Sequence, residues 1–302
     1  MAQNPMLPDA GGAIIESARR VGIAVDSCSL LPADFIARHD IAVAQMRLNI
    51  AEDEFVDSPD LNYIKIYRCV ASDPTTRAWA SAPKPDQWYD TIVRAATNFD
   101  SVVCLTVAAG LSASYDSARV AAQRFTTENP NVDVRIIDSG TISGALKLLA
   151  LDMSRAADLG LDADGVTAAI HESKSTLRTI AALDELSRVH LIANTPRLAI
   201  NAARRLNIKP VVTFAADEFR LVAKPMSMMM ARHRMLRAIN DDVRGNQARF
   251  VVLHVDAKER AESIAADIRS QFDCQFMNIS DFHPFIGFYA GRGAIGIAWQ
   301  RL

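Results

Sequence analysis

Short apolar runs alternate along the chain with segments in which apolar residues recur every three or four positions. The run Val21–Val25 predicts a strand, and the continuous apolar run Val102–Val107 predicts a strand that is buried on both faces, as in a parallel sheet. After the second run, one apolar face over residues 115–125 predicts a helix, and the alternation of Val132–Ile136 predicts another strand. This order of strand, helix and strand favours an α/β fold with mainly parallel sheets.

The same periodicities predict the elements of the rest of the chain. After Gly160 the pattern starts again, which places a domain boundary near residues 140–162. We therefore expect two α/β lobes, residues 1–155 and residues 156–302, a number that also suits 302 residues at roughly 150 per domain. The further predicted elements are strands at 41–50, 209–215, 219–223 and 250–255, a turn at Asp217, and helices at 146–157, 162–172, 226–239 and 261–272.

Composition and charge exclude several classes of protein. With 33 Lys and Arg against 35 Asp and Glu, the net charge of -2 lacks the basic excess of a general nucleic-acid binder. Charges such as Lys147 and Asp152 interrupt every apolar stretch well short of the roughly 18 residues of a membrane span. The first 20 residues lack the basic start and apolar centre of a signal peptide, so we expect a cytoplasmic protein without a transmembrane segment.

The cysteines and histidines give no metal or cofactor signature. The four cysteines form no CxxC pair, and the six histidines show no HxxxH or HExxH spacing. Cys69, Cys104 and Cys274 have apolar neighbours in sequence, which predicts buried free thiols rather than disulfides. We expect no metal and no cofactor.

The segment Gly110–Ser114 follows a predicted buried strand and precedes a predicted helix. It approaches the GxSxG elbow of α/β-hydrolases, which would make Ser112 a nucleophile with His254 or His283 as its base. Ser112 is equally placed to cap the helix, or to bind an anion together with the free N–H groups of the first turn. All three interpretations remain open.

Two other motifs have a structural and a functional interpretation. Gly291–Gly296 spells GxGxxG, but only six residues follow it, so close backbone packing explains it better than a dinucleotide site. Met226, Met229 and Met230 share one face of a predicted helix. Methionines there would fill a core or line a pocket for a flexible alkyl chain.

Six segments, taken in order, resemble the DegV family of bacterial fatty-acid-binding proteins. The resemblance spans most of the chain and depends on the order of the motifs more than on any single one. VDSCSLLP resembles the family's DS-x-x-DLP, WASAPKP resembles TTSQPSP, and AAGLSASYDSA resembles SSxLSGTYxSA. The other three are VRIIDSGTISGA for V-x-V-x-DS and the helix after it, LNIKPVV for LNIKP, and IGFYAGRGAIGI for IGxHTGPGAIGI.

The resemblance implies two α/β lobes with a ligand cleft between them, holding one fatty acid whose carboxylate meets small hydroxyl residues. In bacteria with a fatty acid kinase, such proteins present the acid to that kinase, so the implied role is a carrier and not an enzyme. Several family positions differ here: Ala80 replaces a threonine, Tyr289 replaces a histidine, Met226 replaces an arginine, and the segment GGRI before LNIKP is missing. Because those arginines would serve phosphate handling or kinase docking, their absence argues against a kinase partner.

The leading hypothesis is therefore a carrier that binds a long-chain fatty acid or a related lipid in an apolar tunnel between the lobes. The alternatives are an acyl hydrolase that uses Ser112, and a divergent family member that binds another small molecule. The residues expected at the ligand are Ser27, Ala80, Ser81, Ala109, Leu111, Ser112, Tyr289, Met226, Met229 and Met230.

Overall fold

The computed structural model describes residues 19–59, 61–73, 75–189, 197–215 and 218–302. The strands are β1 Gly22–Asp26, β2 Ile41–Ala44, β3 Arg47–Ile50, β4 Asp53–Val56, β5 Ala78–Ser81, β6 Ser101–Thr106, β7 Asp133–Asp138, β8 Leu177–Ala182, β9 Val211–Ala215, β10 Glu218–Ala223, β11 Ala248–His254, β12 Cys274–Asp281 and β13 Ile295–Arg301. The helices are α1 Ala33–Arg38, α2 Tyr63–Ser72, α3 Pro85–Ala95, α4 Ser114–Glu128, α5 Ser143–Asp158, α6 Ala163–Thr176, α7 Arg197–Arg205, α8 Met228–Val243, α9 Lys258–Gln271 and α10 Pro284–Ala290.

The first sheet is parallel throughout, in the order β2-β1-β6-β7. Strands β1 and β6 are buried on both faces, whereas the edge strand β7 is partly exposed. Ile23 and Val25 belong to the core on one face, whereas Ala24 packs with α3 and α4 on the other. This division follows from the alternation of side chains along a strand.

The second sheet has the order β10-β9-β8-β13-β11-β12 and is mixed. Only β11 and β12 pair in parallel, and the other four pairs are antiparallel. The two-lobed α/β fold class is confirmed, but mainly parallel pairing applies to the first sheet alone. Apolar periodicity identifies a buried strand without giving its direction. Only two residues separate β9 from β10, which is too few for a parallel crossover, so these strands must form a hairpin.

Helices α5 and α6 form a layer between the two sheets, and α8 and α9 cover the outer face of the second sheet. Twelve of the 16 residues of α5 are buried, as expected for a helix that is apolar nearly all round. The boundary that we place between residues 155 and 156 falls within this shared helix. It stays a prediction.

Two expectations about local structure are wrong, and a third falls outside the described residues. The single strand expected over residues 41–50 is two strands: β2 joins the parallel sheet, and β3 leaves it for a small antiparallel sheet of order β4-β3-β5. The expected turn at Asp217 lies outside the described residues. Cys69, for which burial is expected, is exposed because it lies on the outer side of α2.

No helix among the described residues combines the length and the apolar character needed to cross a membrane.

Candidate functional site

An apolar cavity of about 760 Å³, counting its open mouth, lies on the face of the second sheet that meets the central helices. Its floor is formed by β8, β9, β11 and β13, and its roof by the start of α5 and by α10. The cavity therefore lies between the second sheet and the helices α5 and α10.

Small residues keep the floor of the cavity open. Ala181 of β8 pairs with Gly296 of β13, and Ala298 lies two residues further on. A Cβ atom on Gly296 would stand 2.4 Å from Cζ of Phe282, so a larger residue would collide with the wall. The glycine is therefore required by the close approach of this ring.

Tyr289 lies in the wall between the apolar cavity and a second, wider cleft. This cleft measures about 1540 Å³, counting its open side. Burial raises the pKa of the Tyr289 hydroxyl, which therefore stays protonated and able to donate. The charged side chains that line the cleft are one carboxylate, Glu185, and four arginines, Arg77, Arg188, Arg204 and Arg292.

Sequence reasoning missed these arginines. They come from four separate parts of the chain, and no spacing joins them. Arg292 lies within the segment IGFYAGRGAIGI, at a position where the family motif has proline, and Arg77 lies two residues before Trp79. Two are tied in place: Arg188 donates to the carbonyl oxygens of Val70 and Thr76, and Arg292 pairs with Asp256. The fold therefore supplies cations that the motifs do not predict.

The carboxyl end of β1 anchors the loop that carries Ser112. The Oδ2 atom of Asp26 accepts hydrogen bonds of 2.8 Å from the N–H of Val107 and from the hydroxyl of Ser114. The Ser112 hydroxyl in turn accepts from the N–H of Ser114 at 3.2 Å. Burial raises the pKa of the Asp26 carboxyl to about 6, although these hydrogen bonds oppose the shift.

The raised pKa of Asp26 predicts a stability that depends on pH. The folded protein binds the proton more tightly than the unfolded chain, so this contribution is full below pH 3.9 and is lost as the pH rises through about 6. Relative to Asp26→Asn, the wild type should lose about 2 kcal/mol of unfolding free energy between pH 4.5 and pH 7.5. Urea denaturation of both proteins at the two pH values measures this. If the unfolding free energies of wild type and Asp26→Asn differ by the same amount at both pH values, the pKa of Asp26 is not raised.

The structure does not assemble the hydrolase triad. Nδ1 of His254 lies 3.1 Å from Asp281, and His283 bonds to Asp57. Neither histidine bonds to Ser112. The Ser112 hydroxyl behaves instead as a local cap, although α4 itself begins at Ser114 with Ala113 as its N-cap residue.

Ala80 and Ser81 belong to β5, which packs against α10, the helix of Tyr289. Ala80 contacts the central core, and the Ser81 hydroxyl accepts from the side-chain amide of Asn49 at 3.0 Å. The structure therefore brings Ser81 beside the helix of Tyr289. Among the described residues, no hydrogen bond joins Ser81, Ser112 and Tyr289 to one another.

Three further predicted ligand residues lie away from the apolar cavity: Ala109, Leu111 and Ser27. Ala109 is exposed, and its N–H donates to Asp138 at 3.0 Å, whereas Leu111 packs against the central core. The Ser27 hydroxyl accepts from the N–H of Met46 at 3.0 Å and lines a different cleft, beside Asp57. None of these three lines the apolar cavity.

The methionine helix does not reach the cavity. Met226, Met229 and Met230 are 59%, 67% and 48% exposed, and the expectation that they line the tunnel is corrected. Helix α8 covers the outer face of the second sheet, where Met235 is the methionine that fills the core. A wide apolar arc on a helix does not indicate which of its sides meets the sheet.

The GxGxxG segment is a turn between a helix and a strand. Gly291 and Gly293 have φ values of +75° and +82°, and they lie between α10 and β13. A dinucleotide-binding loop has the opposite order, strand before helix. The packing interpretation of this motif therefore agrees with the geometry.

A buried cluster of polar side chains fastens the two lobes together, and no sequence motif predicts it. Asp57 follows β4, and its two oxygens lie 2.6 Å from His283 Nε2 and from the Tyr63 hydroxyl. The N–H of Phe285 donates to His283 Nδ1, and the Cys28 sulfur lies 3.4 Å from the same nitrogen. Burial acts to raise the pKa of Asp57, but His283 and the hydrogen bonds outweigh it and hold that pKa below its usual value.

Burial also raises the pKa of the Cys28 thiol well above its usual value, and the nearby carboxylates add to the shift. Cys28 is 1% exposed. A neutral thiol without access to solvent is a poor nucleophile. The cluster is therefore suited to holding the lobes together.

Comparison with known proteins identifies the family. The sequence model described as "Uncharacterised protein, DegV family" matches residues 20–302. A DegV domain-containing protein of Caldanaerobacter subterraneus is 23% identical over 93% of this chain and 99% of its own. One from Streptomyces coelicolor is 27% identical over 92% and 98%, respectively.

Solved structures share the fold. A DegV family protein from Thermus thermophilus, described with fatty acid binding, has a TM-score of 0.84 at 19% identity over 94% of this chain and 100% of its own. DegV of Bacillus subtilis, described as a fatty acid binding protein, has a TM-score of 0.81 at 20% identity over the same shares. The Fatty Acid Kinase (Fak) B3 protein of Streptococcus pneumoniae, loaded with linoleic acid, has a TM-score of 0.77 at 19% identity, again over these shares. The match over residues 20–302 establishes that this chain belongs to the DegV family.

Proposed function

We propose that this protein binds one long-chain fatty acid, or a related lipid with an anionic head, and carries it without transforming it. The observation that carries the proposal is the position of Tyr289, in the wall that an apolar cavity shares with an arginine-lined cleft. A ligand that spans this wall must have an apolar tail and a polar, negatively charged head. The fatty acids in the names of three relatives of this fold meet that description.

The head group would lie at Tyr289. Its hydroxyl can donate a hydrogen bond to a carboxylate, as the family's histidine can, but cannot supply a positive charge. The arginines of the cleft that Tyr289 also lines supply positive charge. Ser81 lies on a strand that packs beside the same helix.

The tail would provide most of the affinity. Each buried methylene contributes about 0.8 kcal/mol, so a chain of some fifteen methylenes yields roughly 12 kcal/mol before the costs of ordering. The head group then has to orient the ligand more than to hold it.

Binding of saturated fatty acids from 8 to 18 carbons tests this proposal. The affinity should rise about three- to fourfold per methylene until the cavity is full, since 0.8 kcal/mol corresponds to that factor. Tyr289→Phe should weaken binding about tenfold at every length, because only the head-group hydrogen bond is lost. Isothermal titration measures both effects. Affinities that are independent of chain length would contradict the proposal.

A carrier role is favoured over hydrolysis because Ser112 lacks a histidine base in the described structure. A fluorophosphonate probe that labelled wild-type protein but not Ser112→Ala would overturn this. The missing family arginines argue against a fatty acid kinase as partner. The arginines at the cleft favour such a partner, because they offer cations that the missing family positions do not.

A further inference from the structure

Helix α5 begins in the wall of the apolar cavity. Residues 142–145 line the cavity, and the helix continues for 16 residues to Asp158. Its N-cap residue is Ile142, whose side chain cannot accept a hydrogen bond. In the described part of the chain, the N–H groups of Ser143 and Gly144 have no acceptor. Free N–H groups and the positive end of the helix dipole therefore meet an apolar space.

The hydroxyl of Ser143 adds a second, independent feature at the same place. Ser143 is 3% exposed, and its Oγ atom has no hydrogen-bond partner among the described residues. An unpaired hydroxyl away from water is unfavourable, and buried polar groups in folded proteins are nearly always paired. Ser143 also has a φ of +49°, a conformation that disfavours residues with a side chain.

The other hydroxyls that line the cavity are already used. Thr179 donates to the carbonyl oxygen of Phe214 at 3.1 Å and accepts from the N–H of that residue. Thr213 donates to the carbonyl oxygen of Thr179 at 2.6 Å. Tyr289 belongs to the head-group end described above. Away from the head-group end, Ser143 is therefore the hydroxyl among the described cavity residues that a ligand can supply with a hydrogen-bond partner.

We propose that Ser143, with the N–H groups of Ser143 and Gly144, forms a second polar subsite inside the cavity and selects an acyl chain that carries a hydroxyl group along its length. The oxygen of such a hydroxyl accepts from the helix N–H groups, and its hydrogen is donated to Ser143 Oγ. One ligand group thus satisfies donors and an acceptor that the protein leaves unpaired. The inference rests on the proposed function and specifies the substrate class of the same cavity.

Dissociation constants for stearic acid and for a series of monohydroxystearic acids test the subsite. The wild type should bind at least one positional isomer about tenfold more tightly than stearic acid. Ser143→Ala should abolish that preference, leave stearic acid binding within about twofold, and raise the melting temperature because it removes an unpaired buried hydroxyl. Thr213→Val, which removes a hydroxyl that is already bonded, should keep the preference.

The outcomes separate this inference from the proposed function. If the wild type binds stearic acid and prefers no hydroxylated isomer, the subsite is wrong and the carrier proposal stands. If Ser143→Ala weakens the binding of stearic acid as much as the binding of its hydroxylated forms, α5 binds the head group and the subsite assignment fails. If no acid binds the wild type at all, the proposed function fails and this inference fails with it.

Discussion

A phenylalanine in place of Ala181 is expected to weaken the binding of a long-chain fatty acid by more than about 1,000-fold. Ala181 lies on the floor of the apolar cavity, opposite Gly296 in the neighbouring strand. Its side chain is only partly buried, so the added ring can enter the space that the tail would occupy. Excluding roughly six methylenes at about 0.8 kcal/mol each removes about 5 kcal/mol of binding free energy.

The control for this substitution is Ala266→Phe. Ala266 is exposed on α9, which covers the outer face of the second sheet, so the same ring is added away from the cavity. Isothermal titration with stearic acid should show wild-type affinity for the control. If Ala181→Phe folds and still binds stearic acid as the wild type does, the tail does not occupy this cavity.

The second large effect is expected at the buried polar cluster between the lobes. Asp57→Ala should lower the free energy of unfolding by about 3–5 kcal/mol, because it leaves the partner of a buried pair without its acceptor. His283 and Asp57 are both at most 2% exposed, and the Tyr63 hydroxyl also depends on this carboxylate. Chemical denaturation at pH 7 measures the loss.

The pH dependence and the controls identify the cause of that loss. Because the pKa of Asp57 is below its usual value, its contribution is present above pH 3.9 and disappears as the pH falls through the folded-state pKa. Asp53→Ala changes an exposed carboxylate of the adjoining strand and should stay within about 0.5 kcal/mol of wild type. A double-mutant cycle of Asp57→Ala with His283→Ala should give a coupling of about 1–3 kcal/mol. Additive effects would show that the pair does not couple the lobes.

The sequence predicted the first lobe of the fold better than the second. Runs such as Val102–Val107 identify a strand covered on both faces, and the parallel sheet follows from the helices between such runs. The antiparallel pairing of β8, β9, β11 and β13 could not be predicted, because apolar periodicity does not encode strand direction. The same limit explains why one expected strand over residues 41–50 is two strands in two sheets.

Less of the candidate site could be predicted. The motifs predicted Ser81 and Tyr289 at the ligand, and the two residues lie on adjoining elements because β5 packs on α10. It gave no reason to prefer Ala181 or Ser143, because their importance comes from which wall of the cavity they form. The expectation that the methionines line the cavity was wrong, because their helix has a suitable composition but covers the outer face of the sheet.

Native mass spectrometry of the protein purified from cells decides whether it carries a fatty acid. We expect a species heavier than the 302-residue chain by the mass of one fatty acid, which denaturation releases and which Ala181→Phe lacks. A spectrum that shows the bare chain alone, before and after incubation with long-chain fatty acids, would contradict this expectation.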